Sequence, residues 1–407
     1  MLPASIEVRA PERRAEWAIY LGVACATTLG HACLVALPFE VGAIVDGLKL
    51  NAAQSGMLAT AQMAAYSLTN FVLAPFAGRW STRRLGVAGS VLIIGSSVGA
   101  AETANLWAFG AWQAAAGMGF GLVFGCANVA GCLARIPERA YAIGLGVSIF
   151  FYTALPQALA RTAAIARGFP SVFLPHSGVF VAVAVFATVM MPTMGFLPRR
   201  STDELRTASL GAQTGARGAS SPGIAASALL VMALFAFGVF SLYAFIERHA
   251  RGIGMTAADV GSMFSAAFAV GLLGTITSAS LGRRIGLAVP LVGGLAAQGI
   301  ACWLVALSSD RGMLYACAMA YMVLWYFVYP YIFGLGAKID SLGRVSTAIG
   351  GVYLIGLSLG ASLGGLLFKQ QGFLTVGWLA LILCLAAAAL AWVLLKRLDA
   401  QPHAEAS

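Results

Sequence analysis

The sequence predicts an all-α membrane protein, with twelve transmembrane helices in two bundles of six. Three observations carry that expectation. The 407-residue chain is 60% hydrophobic and 10% charged, with a mean hydropathy of +0.86, whereas a soluble domain averages about 25% charged residues. Apolar runs of about 20 residues, long enough to cross a bilayer core, recur from end to end. The chain also states its own plan twice. Gly47-Leu-Lys-Leu-Asn51-Ala-Ala-Gln54-Ser-Gly56 returns 205 residues later as Gly252-Ile-Gly-Met-Thr256-Ala-Ala-Asp259-Val-Gly261, and Thr82-Arg83-Arg84-Leu85-Gly86 returns 200 residues later as Gly282-Arg283-Arg284-Ile285-Gly286. Each pair brackets one long apolar helix. Duplicated membrane bundles suit two bodies that rock about a site between them.

The elements follow in order. Residues 1–16 form a polar tail with Arg9, Arg13 and Arg14, and no cleavable signal peptide is apparent because the first apolar run has full spanning length. The first bundle, 17–197, holds spans at 17–41, 53–78, 86–104, 106–133, 140–166 and 176–197. Residues 198–224, rich in Ser, Thr, Gly and Ala, read as a flexible linker. The second bundle, 225–396, holds spans at 225–247, 257–281, 288–308, 312–336, 345–368 and 374–395, and 397–407 is a short tail. Asn51 and Thr256 sit where N-caps of spans 2 and 8 belong, with Gln54 and Asp259 three residues on.

Twelve spans put both termini on one side. Of the 25 Lys and Arg residues, Lys49, Arg161, Arg167, Arg248, Arg251, Arg311 and Lys369 then fall on the far side and the other 18 on the near side. Positive excess marks the cytoplasmic side, so both termini are expected in the cytoplasm of an inner-membrane protein. The net charge of +10 thus records membrane topology and does not call for nucleic acid. All seven cysteines lie in apolar runs without a CxxC pair, which is no disulfide framework.

Twelve spans, a six-plus-six repeat, a central linker and a basic loop after spans 2 and 8 together resemble the major facilitator superfamily. That family carries a Gly-x-x-x-Asp-Arg-x-Gly-Arg-Arg type motif after span 2. Here the stretch runs Gly78-Arg79-Trp80-Ser81-Thr82-Arg83-Arg84-Leu85-Gly86. Aligned on Gly86, Arg83 holds the acid's position and Arg84 the arginine's. The resemblance implies gating roles for Gly78, Arg83, Arg84 and Gly86, and for Arg283, Arg284 and Gly286 in the second copy. It also implies a central cavity lined by spans 1, 4, 7 and 10, and a monomer. Span 5 reads Gly144-Leu-Gly146-Val-Ser148-Ile-Phe-Phe-Tyr152-Thr-Ala-Leu-Pro156-Gln157, without the Gly-Pro-Gly-Gly-like motif of the drug-antiporter branch.

Candidate site residues are polar or aromatic groups at unusual depth. His31 lies mid-span and titrates in the physiological range, so it suits a substrate or proton path; a neutral histidine bonded to a neighbouring helix is the plain alternative. Thr27 shares its face. Glu40, near the far end of span 1, reads either as a proton carrier or as a solvated loop acid. Arg161 lies near the outer boundary of span 5, where it can hold a carboxylate or snorkel to headgroups, and Gln157 is one turn deeper. Tyr321, Trp325 and Tyr329 form a stripe at four-residue spacing through the middle of span 10, suited to an aromatic cavity wall or to helix packing. Trp112 and Gln113 near the outer end and Asn128 nearer the inner end are the polar candidates on span 4. Gly117, Gly121 and Gly125, and Gly356, Gly360 and Gly364, form small-residue ladders for close helix contact.

No nucleotide-binding loop, metal cluster or nucleophile–base pair stands out, so neither enzyme activity nor a cofactor is expected. The reading is a secondary active transporter of a small organic solute, an organic acid or aromatic metabolite, driven through the lipid bilayer by alternating access and by protons as coupling ion. A drug or toxic-metabolite efflux antiporter is the alternative, and a transport-incompetent membrane sensor is a third.

Overall fold

In a computed structural model that describes residues 10–49, 52–77, 79–168, 174, 176–198, 222–243, 245–255, 257–281 and 285–400, long helices run back and forth through the molecule. The first span is broken into α1 (Ala10–Gly30) and α2 (Ala32–Leu48). Spans 2 to 6 are Ala52–Leu73, Thr82–Glu102, Leu106–Gly131, Pro137–Gly168 and Ser177–Met190, the last continued by a 3₁₀ turn at Met191–Phe196. Spans 7 to 12 are Pro222–Tyr243, Ala257–Leu281, Ala288–Leu307, Arg311–Ile339, Arg344–Gln371 and Phe373–Ala400, with a short helix Ile246–Gly252 after span 7. Among the described residues, nine helices are long and apolar enough to cross a membrane. The predicted caps at Asn51 and Thr256 lie outside the described residues, as do Gly78, Arg283, Arg284 and nearly all of the 198–224 linker.

Local chemistry starts and stops these helices. The Asn105 side chain accepts from Trp107 N and Ala108 N, and Asp310 accepts from Met313 N, so each caps the helix that follows. Gly343 and Gly372, at φ of 83° and 87°, turn the chain before spans 11 and 12 in a backbone region that favours glycine. Pro330 is carried inside span 10, which stays helical from Arg311 to Ile339.

The repeat in the sequence reappears as a repeat in the packing. Span 1 packs on 5 as 7 does on 11; 2 on 4 as 8 on 10; 3 on 4 as 9 on 10; and 3 on 6 as 9 on 12. Contacts between the halves obey the same exchange, span 2 meeting 11 and span 5 meeting 8. Both glycine ladders are packing surfaces. A Cβ on Gly121 would come within 2.9 Å of Tyr66 O, and one on Gly117 would collide with the Gln62 carbonyl, so span 4 lies directly against span 2. A Cβ on Gly360 would sit 3.0 Å from Phe237 O, joining span 11 to span 7. Valines at 87, 91 and 98 face outward on span 3, as an apolar surface toward lipid does.

The face that carries the start of α1 and the end of span 12 is called the linker face below. At the opposite face, two histidines outside the spans close helix ends in matching places. His176 Nε2 lies 3.1 Å from Ala100 O at the end of span 3, and His249 Nε2 lies 2.8 Å from Ser308 O at the end of span 9. His249 also stacks on Phe373, with ring centroids 4.4 Å apart.

Two predictions follow from these contacts. Gly117→Ala is expected to force spans 2 and 4 apart and to lower thermal stability in detergent by about 1–3 kcal/mol, as overpacking does; Gly95→Ala, with nothing within 4 Å of the new methyl, should be neutral. Burial also pushes the His176 and His249 side chains below the usual histidine pKa. The folded protein therefore binds fewer protons than the unfolded chain. Stability from these rings is complete above the unfolded value of about 6.5 and is lost as pH falls through the lowered folded values. Melting temperature should drop between pH 7.5 and 5.5, and the drop should be shallower in the His176→Gln/His249→Gln double variant.

Candidate functional site

The site begins at the break in span 1. Gly30 ends α1 and His31 stands between the two helices, with φ −94° and ψ −1°. Gly30 is required there by span 4, because a Cβ would come within 2.7 Å of Phe124 Cβ. The groups at the break find partners inside the protein. His31 N donates to Thr27 O at 3.0 Å, and Tyr152 of span 5 turns its hydroxyl toward Thr27 O and Thr28 O at 3.4 and 3.2 Å. Thr28 Oγ1 meets Ser148 Oγ at 3.0 Å. A discontinuous helix within a membrane bundle is tolerated where its backbone is satisfied by protein or lines a cavity.

The His31 ring lies edge-on to Phe124, with centroids 4.2 Å apart, and its Nε2 is 3.3 Å from Tyr329 Oη on span 10. That hydrogen bond joins the two halves. Behind Tyr329 is an aromatic layer from spans 7, 10 and 11: Tyr353 lies 5.2 Å from Tyr329, Phe240 lies 5.2 Å from Tyr353, and Trp325 lies 4.9 Å from Phe240. All are buried.

The predicted residues divide into groups. His31, Tyr329 and Trp325 come together in this layer. Tyr321, at the other end of the stripe, donates its hydroxyl to Val239 O at 3.0 Å and so ties span 10 to span 7 within one half. Thr27 is buried against span 5, its Oγ1 3.3 Å from where a Cβ of Gly144 would be. Asn128 is one turn beyond Phe124 toward the linker face. Gln157 and Arg161 lie in the span 5 helix, and their side chains are outside the described residues. Tyr152, Tyr353 and Phe124 were not singled out from the sequence. Phe124 gave no polar signal at all, and the two tyrosines lie outside any stripe, Tyr353 being alone in span 11 and Tyr152 sharing span 5 with Tyr141 at a different spacing.

Glu40 corrects the solvated-acid reading. It is 1% exposed, and Gln113 Nε2 of span 4 donates to Glu40 Oε2 at 3.2 Å, with Gln62 of span 2 as a further neighbour. Nine residues of helix put it about 14 Å from His31, toward the opposite face. Its hydrogen-bond partner among the described residues is a neutral amide.

The loops at the linker face differ between the halves. Arg83 N and Thr82 Oγ1 both donate to Pro198 O, each at 3.2 Å, and Gly86 is a buried helical residue against Leu197 and Met194. A surface cavity of about 510 Å³ lined by Ser81, Arg83, Arg84, Val87 and Ala88 opens beside this loop, away from the aromatic layer. Gly286, matched to Gly86 in sequence, sits instead in a turn at φ 69°. The textual repeat is therefore not a structural repeat at these glycines. Among the described residues, no group of three His, Cys, Asp or Glu side chains could hold a metal ion.

The halves meet toward the linker face. Ser67 Oγ donates to Gly351 O at 2.9 Å, Cys132 Sγ lies 3.5 Å from Ser346 Oγ, and a Cβ on Gly343 would be 2.9 Å from Val129 Cα. Toward the opposite face, the hydrogen bonds of Glu40, His176, His249 and Arg311 stay within one half.

Comparison with known proteins adds three findings. The family model described as Major Facilitator Superfamily matches residues 19–350. No curated protein sequence matches the chain. Solved structures share its fold at low identity. The proton:xylose symporter XylE bound to 6-bromo-6-deoxy-D-glucose has a TM-score of 0.75 and 12% identity, covering 94% of this chain and 96% of that one. The transporter FucP in the outward conformation has a TM-score of 0.71 and 15% identity, with coverage of 94% and 98%. A bacterial homologue of the iron transporter ferroportin in an outward-facing state has a TM-score of 0.69 and 16% identity, with coverage of 94% and 100%.

Tyr152→Phe removes the hydroxyl that serves the broken helix and is expected to cost about 1 kcal/mol, the usual net worth of one hydrogen bond. Thr153→Ala, on the exposed side of the same turn, should stay within about 0.5 kcal/mol of the parent. Denaturant titration in detergent, followed by tryptophan fluorescence, compares the two.

Proposed function

The chain belongs to the major facilitator superfamily, and from that premise we propose that this multi-pass membrane transporter moves a small organic acid or aromatic metabolite by proton-coupled alternating access. The observation that carries the reading is the His31–Tyr329 hydrogen bond at the break in span 1. A solute that engages this pair touches both halves at once, as a site near the midplane between two rocking bundles requires. Trp325 and Tyr353 supply aromatic faces for a ring. Thr27, Gln157 and Arg161 are assigned to the span 5 side, with Arg161 as the partner of a carboxylate. The protein works as a monomer in the inner membrane, with the linker face in the cytoplasm, because Lys and Arg concentrate there. Contacts between the halves at the linker face then describe the outward-facing stage of the cycle.

Glu40 is the proposed proton carrier. A carboxylate inside a membrane bundle is costly and marks an ion path by default, and here its neighbours are the amides of Gln62 and Gln113. The similar structures include a proton:xylose symporter and an E. coli fucose:proton symporter, which supports proton coupling by analogy. One observation favours a second reading. A buried acid with a neutral hydrogen-bond partner also suits a lipophilic cation, and efflux of such compounds is the alternative.

Thermal stabilisation of the purified protein separates the readings, because a ligand that binds the folded state raises its apparent stability. Benzoate-type carboxylates should raise the melting temperature, and Arg161→Ala should abolish the rise. Stabilisation by tetraphenylphosphonium alone, untouched by Arg161→Ala, would transfer the function to efflux. In proteoliposomes, Glu40→Gln should lose accumulation driven by a pH gradient while keeping solute exchange.

A further inference from the structure

The outer face of span 3 has a pattern that neither the aromatic layer nor the seam uses. Between Thr82 and Ala101 its exposed residues are Arg84, Val87, Ala88, Val91, Gly95 and Val98. At 3.6 residues per turn they fall within about 100° of arc, so they form one straight stripe. Beyond Arg84 the stripe carries no polar side chain, and a Cβ on Gly95 would meet nothing within 4 Å. The rise from Arg84 to Val98 is about 21 Å, more than half of a hydrocarbon core about 30 Å thick.

At the head of the stripe is the cavity of about 510 Å³ lined by Ser81, Arg83, Arg84, Val87 and Ala88. Among the described residues, neither guanidinium group is held by an ion pair or a hydrogen bond. Arg83 Nη2 would be 3.2 Å from a Cβ on Gly195, so the bare glycine of the 3₁₀ turn leaves room for that group. The backbone donors of the same turn are taken, Arg83 N by Pro198 O at 3.2 Å and Arg84 N by Ser81 Oγ at 3.5 Å. Positive charge is therefore offered by two side chains and not by the helix end. Trp80, 49% exposed, stacks on Phe76 at this end of the helix, with centroids 5.1 Å apart. Exposed rings of this kind mark the headgroup level of a bilayer.

We propose that the cavity and the stripe together hold one anionic phospholipid. Its phosphodiester lies between Arg83 and Arg84, whose planar forks match phosphate oxygens. One acyl chain runs along Val87, Val91 and Gly95. Charge complementarity selects this occupant, because the lining has two cations and no acid to hold a choline or ethanolamine head. A basic cavity continuous with an apolar stripe also suits a molecule that has both a head and a tail. The site lies on the outside of the first half and uses none of His31, Glu40 and Arg161, so it stands or falls apart from the transport reading.

The test titrates the full-length protein in detergent with dioleoyl phosphatidylglycerol or dioleoyl phosphatidylcholine and counts bound lipid by native mass spectrometry. One phosphatidylglycerol should bind at least tenfold more tightly than phosphatidylcholine. Arg83→Gln/Arg84→Gln should weaken phosphatidylglycerol at least tenfold. Arg135→Gln/Arg397→Gln removes the same charge from exposed positions elsewhere on the linker face and should bind within about twofold of the parent. Equal affinity for the two lipids would overturn the proposal. So would equal losses in the two double variants, which would leave only diffuse attraction to the surface. Glycerophosphoglycerol, the head without chains, should compete at least a hundredfold less well than the lipid; equal competition would make this a site for soluble anions and overturn the lipid. Should the Arg83/Arg84 variant elute as aggregate on size exclusion, Arg84→Gln alone decides, by a loss of at least threefold or by none.

Discussion

A chain that crosses lipid must satisfy its polar groups from within, and the irregular turn at His31 meets that demand with protein partners. Gly30 yields to Phe124, the helix parts at His31, and Tyr152 reaches across from span 5 to the carbonyls at the break. Because the break is filled in this way, the imidazole is free to reach out of its own half to Tyr329. The aromatic layer of spans 7, 10 and 11 is then arranged behind that contact. Phe124 has a part in both directions, holding Gly30 and His31 on one side and Gly350 on the other.

Charge is kept away from this centre. The three ion pairs among the described residues, Arg311–Asp259, Lys338–Asp399 and Arg344–Asp340, all lie at the ends of spans in the second half. The contacts that hold the halves together on the linker face involve hydroxyls, a thiol, amides and glycine backbone. Mostly neutral contacts of this kind, with the Glu138 side chain packed against Gly334 as an exception, suit a surface that must open and reseal, since little charge has to be stripped of water at each closure.

Much of the fold was legible because lipid simplifies the code. Span length, the doubled motif and the distribution of Lys and Arg each reflect a constraint that acts on the chain locally. The glycine ladders were legible too, since small residues at every fourth position make only one flat face. The site was legible where a single residue was out of place, as with His31. It was not where meaning arises from neighbours. Glu40 near a helix end reads as solvated until Gln62 and Gln113, 22 and 73 residues away in sequence, are seen to enclose it. Tyr321 and Tyr329 share one stripe, yet one bonds Val239 O of span 7 and the other His31. The Gly86 and Gly286 repeat misleads for a related reason, as identical letters serve a helix interior in one half and a left-handed turn in the other.

The seam is also unequal in what each side brings to it. From the second half come Gly334, Gly343, Gly350 and Gly351, presenting bare backbone to Glu138, Val129, Asn128 and Phe71 of the first. One half is the socket and the other the plug. Substitution should therefore be harder on the second half, which offers four such glycines at this seam, than on the first, where Gly146 faces Thr275. The two halves would then be held to different rules, and pairing one half with itself would yield two sockets or two plugs, neither of which closes.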